Sequence, residues 1–476
     1  MTPPRRLAAV TSQPGVGEDG RDDAAVEEPS VRESVLTLRR LWLGVPFIVL
    51  AWSATRVFTD NSFLWHVRAG TVQLDAGEVL RSDPFSLTHS GEPWRTQSWL
   101  AELGYGALER AAGGIGWAPW VVFSSMACAV ALVGITMRRR RFGHGGMVVG
   151  MLLVAWMTVP FSFPRPAALA FPLMALVVLA SDRARPQWWA LPPILWLWAC
   201  VHGSFVIGLG FIALVAVQRR SGRAAVALGL SAIGVSLTAH GLALWGIIVD
   251  FATNREALDL IEEWQRPSLT DHRTWPFFIV VTLVVIGLAR RDVESRDLWV
   301  IVPFAAFGMT AVRNLMPAVI VLAPFAAAAV PSRAGRATSE SRVLNVAVAG
   351  ALFFIVALGL FRPVGLSPTV FPTRDAIAAL GAGPAFHGIG EGGLLIYREW
   401  PGRRVLIDDR AELYGAGEMR AVLEAQAGRG WEALFARYGL NQAIVAVDSR
   451  LEHALVEAYW LAAYRDDHFA VYEAPS

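Results

Sequence analysis

A polytopic α-helical membrane protein with a small extracytoplasmic α/β domain at its C-terminus is the fold class this sequence predicts. Three observations predict it. Hydrophobic residues make up 54% of the 476 residues and charged residues only 17%, against about 25% in an ordinary soluble chain. Long apolar runs alternate with short basic clusters, the pattern of many membrane spans. After Phe361 the patterning turns into that of a soluble domain.

The chain begins with a polar stretch, residues 1–36, holding Pro3, Pro4, Pro14 and the acids Glu18, Asp19, Asp22 and Asp23. It reads as a disordered cytoplasmic tail. The first apolar run follows Arg39 and Arg40 and reads as a retained signal anchor. About eleven spans are predicted, near 41–57, 116–137, 146–161, 166–181, 188–201, 203–218, 224–249, 275–289, 298–312, 315–331 and 343–361. Several fall short of the roughly 20 residues of a perpendicular helix, so tilt or flanking residues must complete them.

This count can be tested on charge. The clusters Arg138 to Arg141, Arg183 and Arg185, Arg219 to Arg223, Arg290 to Arg296 and Arg333 to Arg342 all fall on the side of the N-terminus. The positive-inside rule makes that side cytoplasmic. A bacterial plasma-membrane protein is predicted, multi-pass, with the 37–361 membrane domain followed by an extracytoplasmic domain over 362–476. The opposite face carries the loop 58–114, the turns at Arg165, His202 and Arg313, and the stretch 238–274. Polar groups are costly at membrane depth, so their gathering at one surface marks a site.

Composition excludes other classes. A net charge of +2 gives no footprint for nucleic acid. Cys128 and Cys200 lie in apolar runs, which argues against a disulfide scaffold or a cysteine metal site. There is no lysine, so every fixed positive charge is arginine. Coding bias in a GC-rich genome explains this, and arginine also pairs two phosphate oxygens at once. In the C-terminal domain, Val405 to Ile407 and Ala443 to Val447 read as short buried strands, Met419 to Tyr438 as one helix ended by Gly439, and Asp467 to Tyr472 as a last strand.

The candidate chemistry begins just after the first span, at Asp60. A carboxylate at the membrane surface can take the proton of an acceptor hydroxyl; it can equally cap the helix starting near Ser62. His66 and Arg68 can hold a phosphate by charge-assisted hydrogen bonds, or belong to an interfacial helix whose Trp65, Ala69, Val72 and Ala76 face lipid. Asp83, before Pro84, is a binding candidate or a turn former. A second amphipathic helix has Trp99, Leu103 and Ala107 on one face and Glu102 and Glu109 on the other; two such helices lying flat would make a lipid-edge platform. Arg165 lies between two prolines. His202 and His240 end spans at a spacing that fits no metal motif. Glu262 and Glu263 bind a metal or face water. Arg313 and Asn314 break the positive-inside trend and suit a phosphate.

These segments, with Trp99-Leu100-Ala101-Glu102, Ser82 to Thr88 and Val405 to Gly415, occur in an order that resembles bacterial multi-spanning proteins related to the GT-C glycosyltransferases, whose fold includes the protein mannosyltransferases and aminoarabinose transferases. The resemblance covers residues 40 to 475. It implies an inverting transferase that moves a sugar from a polyprenyl-phosphate donor in the membrane lipid to an acceptor the sequence does not name, in the cell envelope. Asp60 then takes the catalytic place. His66, Arg68, Arg165 and Arg313 hold the lipid phosphate, and Asp408, Arg410 and Tyr414 shape the acceptor side. It implies no organic cofactor and leaves a divalent metal open. Ser62 stands where many relatives carry a second acid. A non-catalytic scaffold or lipid-linked glycan binder is the competing reading. A transporter is disfavoured, because no internal repeat and no midplane charge cluster is visible.

Overall fold

The computed structural model describes residues 37–54, 57–253, 255–331 and 341–475. The predicted N-terminal tail and most of the Arg333 to Arg342 cluster lie outside them.

Eleven apolar helical segments correspond to the predicted spans among the described residues: α1 (Val45–Ala54), α4 (Ala118–Arg139), α5 (His144–Thr158), α6 (Pro166–Ala180), α7 (Leu191–Val201), α8 (Phe205–Arg219), α9 (Gly222–Val235), α11 (Trp275–Ala289), α12 (Leu298–Gly308), α13 (Leu315–Ala328) and α14 (Arg342–Leu360). Two further helices, α2 (Ser62–Ala76) and α3 (Trp99–Ala112), occupy the first loop. Four segments, Ala118–Arg139, His144–Phe161, His272–Ala289 and Arg342–Leu360, are long and apolar enough to cross a membrane unaided; five others are apolar but shorter. Proline in the first turn starts α4, α6, α7 and α11, where a missing N–H costs no hydrogen bond. Helix α13 is buried almost all round and forms the axis of the bundle against α4, α5, α6, α11 and α12. By contrast α14 leaves Val343, Phe353 and Phe354 exposed, as a lipid-facing helix would.

One predicted span is corrected. The run 224–249 is not a single helix: α9 stops at Val235, and α10 (Ala243–Thr253) starts afresh after a turn. Gly241 in that turn has φ +58°, a left-handed conformation that glycine reaches without strain. The turn leaves His240 buried at the end of the bundle.

The charge-based pairing of loops matches the packing. At one end, Arg140 pairs with the wholly buried Asp182 at 2.9 Å, Arg183 pairs with Asp297, and Arg219 donates to the Ser181 carbonyl at 2.6 Å. The turns at Arg165, His240, Glu263 and Arg313 gather at the other end.

Residues 362–475 add a four-stranded sheet in the order β1-β2-β4-β3, from β1 (Ala385–Phe386), β2 (Gln442–Ala446), β3 (Leu461–Arg465) and β4 (Phe469–Glu473). The β1/β2 pair is parallel and the others antiparallel. Helices α15 (Ile389–Glu399), α16 (Ala411–Gln426), α17 (Trp431–Tyr438) and α18 (Arg450–Glu457) surround it. The single helix predicted over 419–438 is two, because Gly428 and Gly430 sit at φ +74° and +64° and break it. Val405 to Ile407 is buried as predicted but joins no sheet among the described residues. Instead Val405 pairs with the first loop: its N–H donates to the Phe85 carbonyl at 3.0 Å, and its carbonyl accepts from Leu87 at 2.7 Å.

That pairing ties the domain to the first loop, although the domain also holds a core of its own around Phe386, Ile407, Leu434 and Val445. One hydrophobic cluster holds Phe58, Phe63, Trp65 and Phe85 of the first loop together with Phe371, Leu394, Ile396 and Val405. Helix α2 lies between α3 and α15, so it is no lipid-edge platform: Trp65 is 6% exposed and Ala69 wholly buried. Backbone contact explains the fit. A Cβ on Gly70 would stand 1.8 Å from the Glu102 carbonyl oxygen, and one on Gly393 would stand 2.2 Å from the Asn61 carbonyl oxygen.

Candidate functional site

Asp60 precedes α2 and uses both of its oxygens. Oδ1 accepts from the Phe63 N–H at 3.0 Å, a helix-capping bond. Oδ2 accepts from Arg165 Nε. The capping role and the site role therefore coexist, and the side chain is 1% exposed. Pro166 fixes where α6 begins and leaves Arg165 as its extended N-cap residue. The guanidinium turns back across the bundle end, and its Nη1 donates to Glu263 Oε1 at 2.7 Å. Carboxylates on two sides outweigh the cost of burying Arg165 and raise its pKa, so it stays charged. The Arg313 guanidinium stacks on Trp264 at 4.4 Å from the ring centre, and the Val312 N–H donates to the Gln265 carbonyl at 2.9 Å. The turns before α6, α11 and α13 thus meet.

His66 Nδ1 lies 2.8 Å from Glu102 Oε1. Glu102 also accepts from Gln73 Nε2 at 2.7 Å and from the Thr96 hydroxyl, and it is wholly buried. The face that Glu102 shares with Glu109 is therefore buried at Glu102. Amphipathic spacing identified the helix, and its Glu102 position packs on α2. His240 supports this group from behind, with Nε2 at 2.8 Å from the Thr96 carbonyl oxygen. His202 ends α7, where Ser204 closes on its Nδ1. Burial, then the charges of Arg313, His66 and Arg165, push it down to about 3, so it is neutral.

The C-terminal domain adds a residue that the sequence reading passed over. Asp409 accepts from Trp65 Nε1 at 2.8 Å. Burial pushes its carboxyl up to about 6 against the attraction of Arg165, and the nearby charges of Asp408 and Asp60 add to the rise. A second acid thus stands near Asp60, contributed from far along the chain rather than from position 62. Its signal in the sequence is the doubled Asp408-Asp409.

Other expected residues lie elsewhere. Arg68 donates to the Tyr397 carbonyl and stacks on that ring, so it faces α15 and not the arginine pair. Glu262 points to solvent and pairs with Arg273 at 2.7 Å, while only Glu263 joins Arg165; the two do not form a metal pair. Asn314 donates to Thr310 Oγ1 at 2.9 Å and ties its own turn. Asp83, Asp408, Arg410 and Tyr414 form a separate buried network. Arg410 donates to Asp83 Oδ1 at 2.7 Å and to both oxygens of Asp408, and the Tyr414 hydroxyl donates to Asp408 at 2.8 Å. Trp94 lies 4.6 Å from the guanidinium. Arg410, Asp83 and Asp408 have wholly buried side chains, so the acceptor-side role expected of this network is corrected: its polar atoms are turned on one another. Among the described residues no group of three or more His, Cys, Asp or Glu is arranged to hold a metal.

No family model matches the chain, and no curated protein matches it. Among solved structures, the chain is similar to the apo aminoarabinose transferase ArnT from Cupriavidus metallidurans, at a TM-score of 0.50 and 16% identity, over 92% of this chain and 99% of that one. This chain has the GT-C fold. In this chain the loop after the first span and the C-terminal domain flank the same end of the bundle, where Asp60, Arg165, Glu263 and Asp409 gather.

Proposed function

We propose that the chain is an inverting glycosyltransferase, taking a sugar from a polyprenyl-phosphate donor to an envelope glycan, lipid or protein acceptor at the outer face of the plasma membrane. The observation that carries this reading is the pairing of Asp60 with Arg165, beside Glu263, at one end of a GT-C bundle. The arrangement of arginine clusters favours that end being outside, with the N-terminus in the cytoplasm.

Arg165 is 32% exposed and so can reach a lipid phosphate. With Arg313 it would hold the charge that develops as the sugar–phosphate bond breaks. The leaving group is a stable phosphate and needs no acid. Asp60, the base expected from the sequence, could serve only where a phosphate drew Arg165 away and freed Oδ2. A lipid-linked glycan binder without catalysis is the second reading, favoured by the engagement of both Asp60 oxygens.

The test compares envelope glycans and lipid-linked sugars in a deletion strain complemented with wild type or with Arg165→Gln. The expected result is loss of one glycan, accumulation of its polyprenyl-phosphate sugar, and no restoration by Arg165→Gln at normal protein level. Unchanged glycans in the deletion strain would sink the transferase reading.

A further inference from the structure

Resting on the transferase reading above, we propose that His66, oriented by Glu102, is the catalytic residue that takes the proton of the acceptor hydroxyl. Asp60 on this view is the positioning residue that anchors Arg165.

The geometry separates the two. Asp60 offers no free oxygen: one is bonded to the Phe63 N–H and the other to Arg165. His66 needs no such exchange. The wholly buried Glu102 accepts from an amide NH₂ of Gln73 and from the Thr96 hydroxyl, so it acts as an acceptor toward Nδ1 as well, and the Nδ1 proton is fixed there. The lone pair of the neutral ring is then at Nε2, which makes no protein hydrogen bond among the described residues. The side chain is 10% exposed. Its ring lies 3.5 Å from that of Trp65, whose indole N–H donates to Asp409 at 2.8 Å, so it stands beside the same centre. A base held by a buried carboxylate, with its other nitrogen open to the site, is the arrangement general-base catalysis needs.

The step balances. The acceptor O–H gives its proton to Nε2, and its oxygen bonds to the anomeric carbon of the sugar. The bond from that carbon to the lipid phosphate breaks, and its electron pair leaves with the phosphate beside Arg165 and Arg313. The imidazolium, still donating from Nδ1 to Glu102, returns its proton to water.

Two measurements test this. In the first, purified full-length protein in lipid nanodiscs is treated with diethyl pyrocarbonate, which acylates accessible neutral imidazoles, with and without undecaprenyl phosphate. His66 should be acylated and the lipid should slow the reaction; an unreactive His66 overturns the proposal. In the second, membranes of the deletion strain carry His66→Ala, His66→Asn, Asp60→Ala or Glu102→Gln, and glycan transfer from the accumulated lipid-linked sugar is followed. His66→Ala should lose roughly 10²–10⁴-fold in rate, the range for a removed general base, and added imidazole should restore part of it. Imidazole should do nothing for Asp60→Ala. Transfer at the wild-type rate by His66→Asn, or an inactive His66→Ala that imidazole does not rescue, overturns the proposal. Glu102→Gln should lower kcat with little change in KM. A deletion strain with unchanged glycans would instead bring down the transferase reading itself, and the proposal with it.

Discussion

Arg410 and Asp83 lie 2.7 Å apart with both side chains wholly buried, although 327 positions separate them in the chain. This pair, completed by Asp408, clamps the first loop to the C-terminal domain directly behind the candidate site.

Breaking the clamp from the cationic side should be severe. Arg410→Met leaves the Asp83 and Asp408 carboxylates facing each other without a counter-charge, and removing one partner of a buried pair costs about 3–5 kcal/mol. Thermal unfolding of the detergent-purified protein should show a large fall in Tm. Asp83→Asn, which keeps an acceptor for the Ser86 and Phe85 N–H groups, should fall less.

Two glycines in or beside α3 should respond in opposite ways. Gly70→Ala places a methyl 1.8 Å from the Glu102 carbonyl oxygen and 2.9 Å from the Gly106 nitrogen, both backbone atoms. The helices must part, at a cost of about 1–3 kcal/mol or more. Gly104 has nothing within 4 Å, so Gly104→Ala should be neutral or stabilise by about 0.5–1 kcal/mol. Tm of the two variants checks this.

The contact between His89 and α16 should weaken as pH rises. Burial alone would lower His89, but hydrogen bonds to Glu92 and Glu418 outweigh it and hold the imidazole above its usual 6.5. A group raised in the folded state contributes stability that is complete below pH 6.5 and is lost as pH climbs through the raised value. Tm measured from acid to mildly alkaline pH should fall over that window in wild type and lose this component in His89→Gln.

Arg165 should govern phosphate binding. Charge-assisted hydrogen bonds contribute about 1.5–3 kcal/mol each, so Arg165→Gln should weaken undecaprenyl phosphate binding roughly tenfold to hundredfold. Arg68→Gln, which removes a residue facing α15, should leave that affinity within about twofold, well inside one such bond. Titration of the probe into nanodisc-held protein distinguishes them.

The spans were legible because a membrane forces apolar runs and sorts arginine by side; both signals are local. Asp60, Arg165 and Glu263 were also legible as residues, each polar at a span end where polarity is costly. Their meeting was not, since no local pattern states which turns adjoin. The burial of Glu102 was not legible, because amphipathic spacing tells which residues share a face, but not whether that face meets water or another helix. The strand-like Val405 to Ile407 was correctly read as buried, yet its partner was Phe85 to Leu87 rather than the sheet, because pairing depends on what lies alongside in space. The break between the last two helices before β2 is legible in the paired glycines Gly428 and Gly430, which both take positive φ.

The wide separation of Asp83 from Arg410 also has a temporal meaning. A ribosome makes the first loop early and its counter-charge only after the last apolar segment has been synthesised. Through most of translation Asp83 therefore waits without its arginine, and Phe85 without the backbone of Val405. A chain halted at residue 400 would own every helix of the bundle and still lack most of the C-terminal sheet, the clamp and Asp409. Assembly of the site is in this sense the final act of biosynthesis.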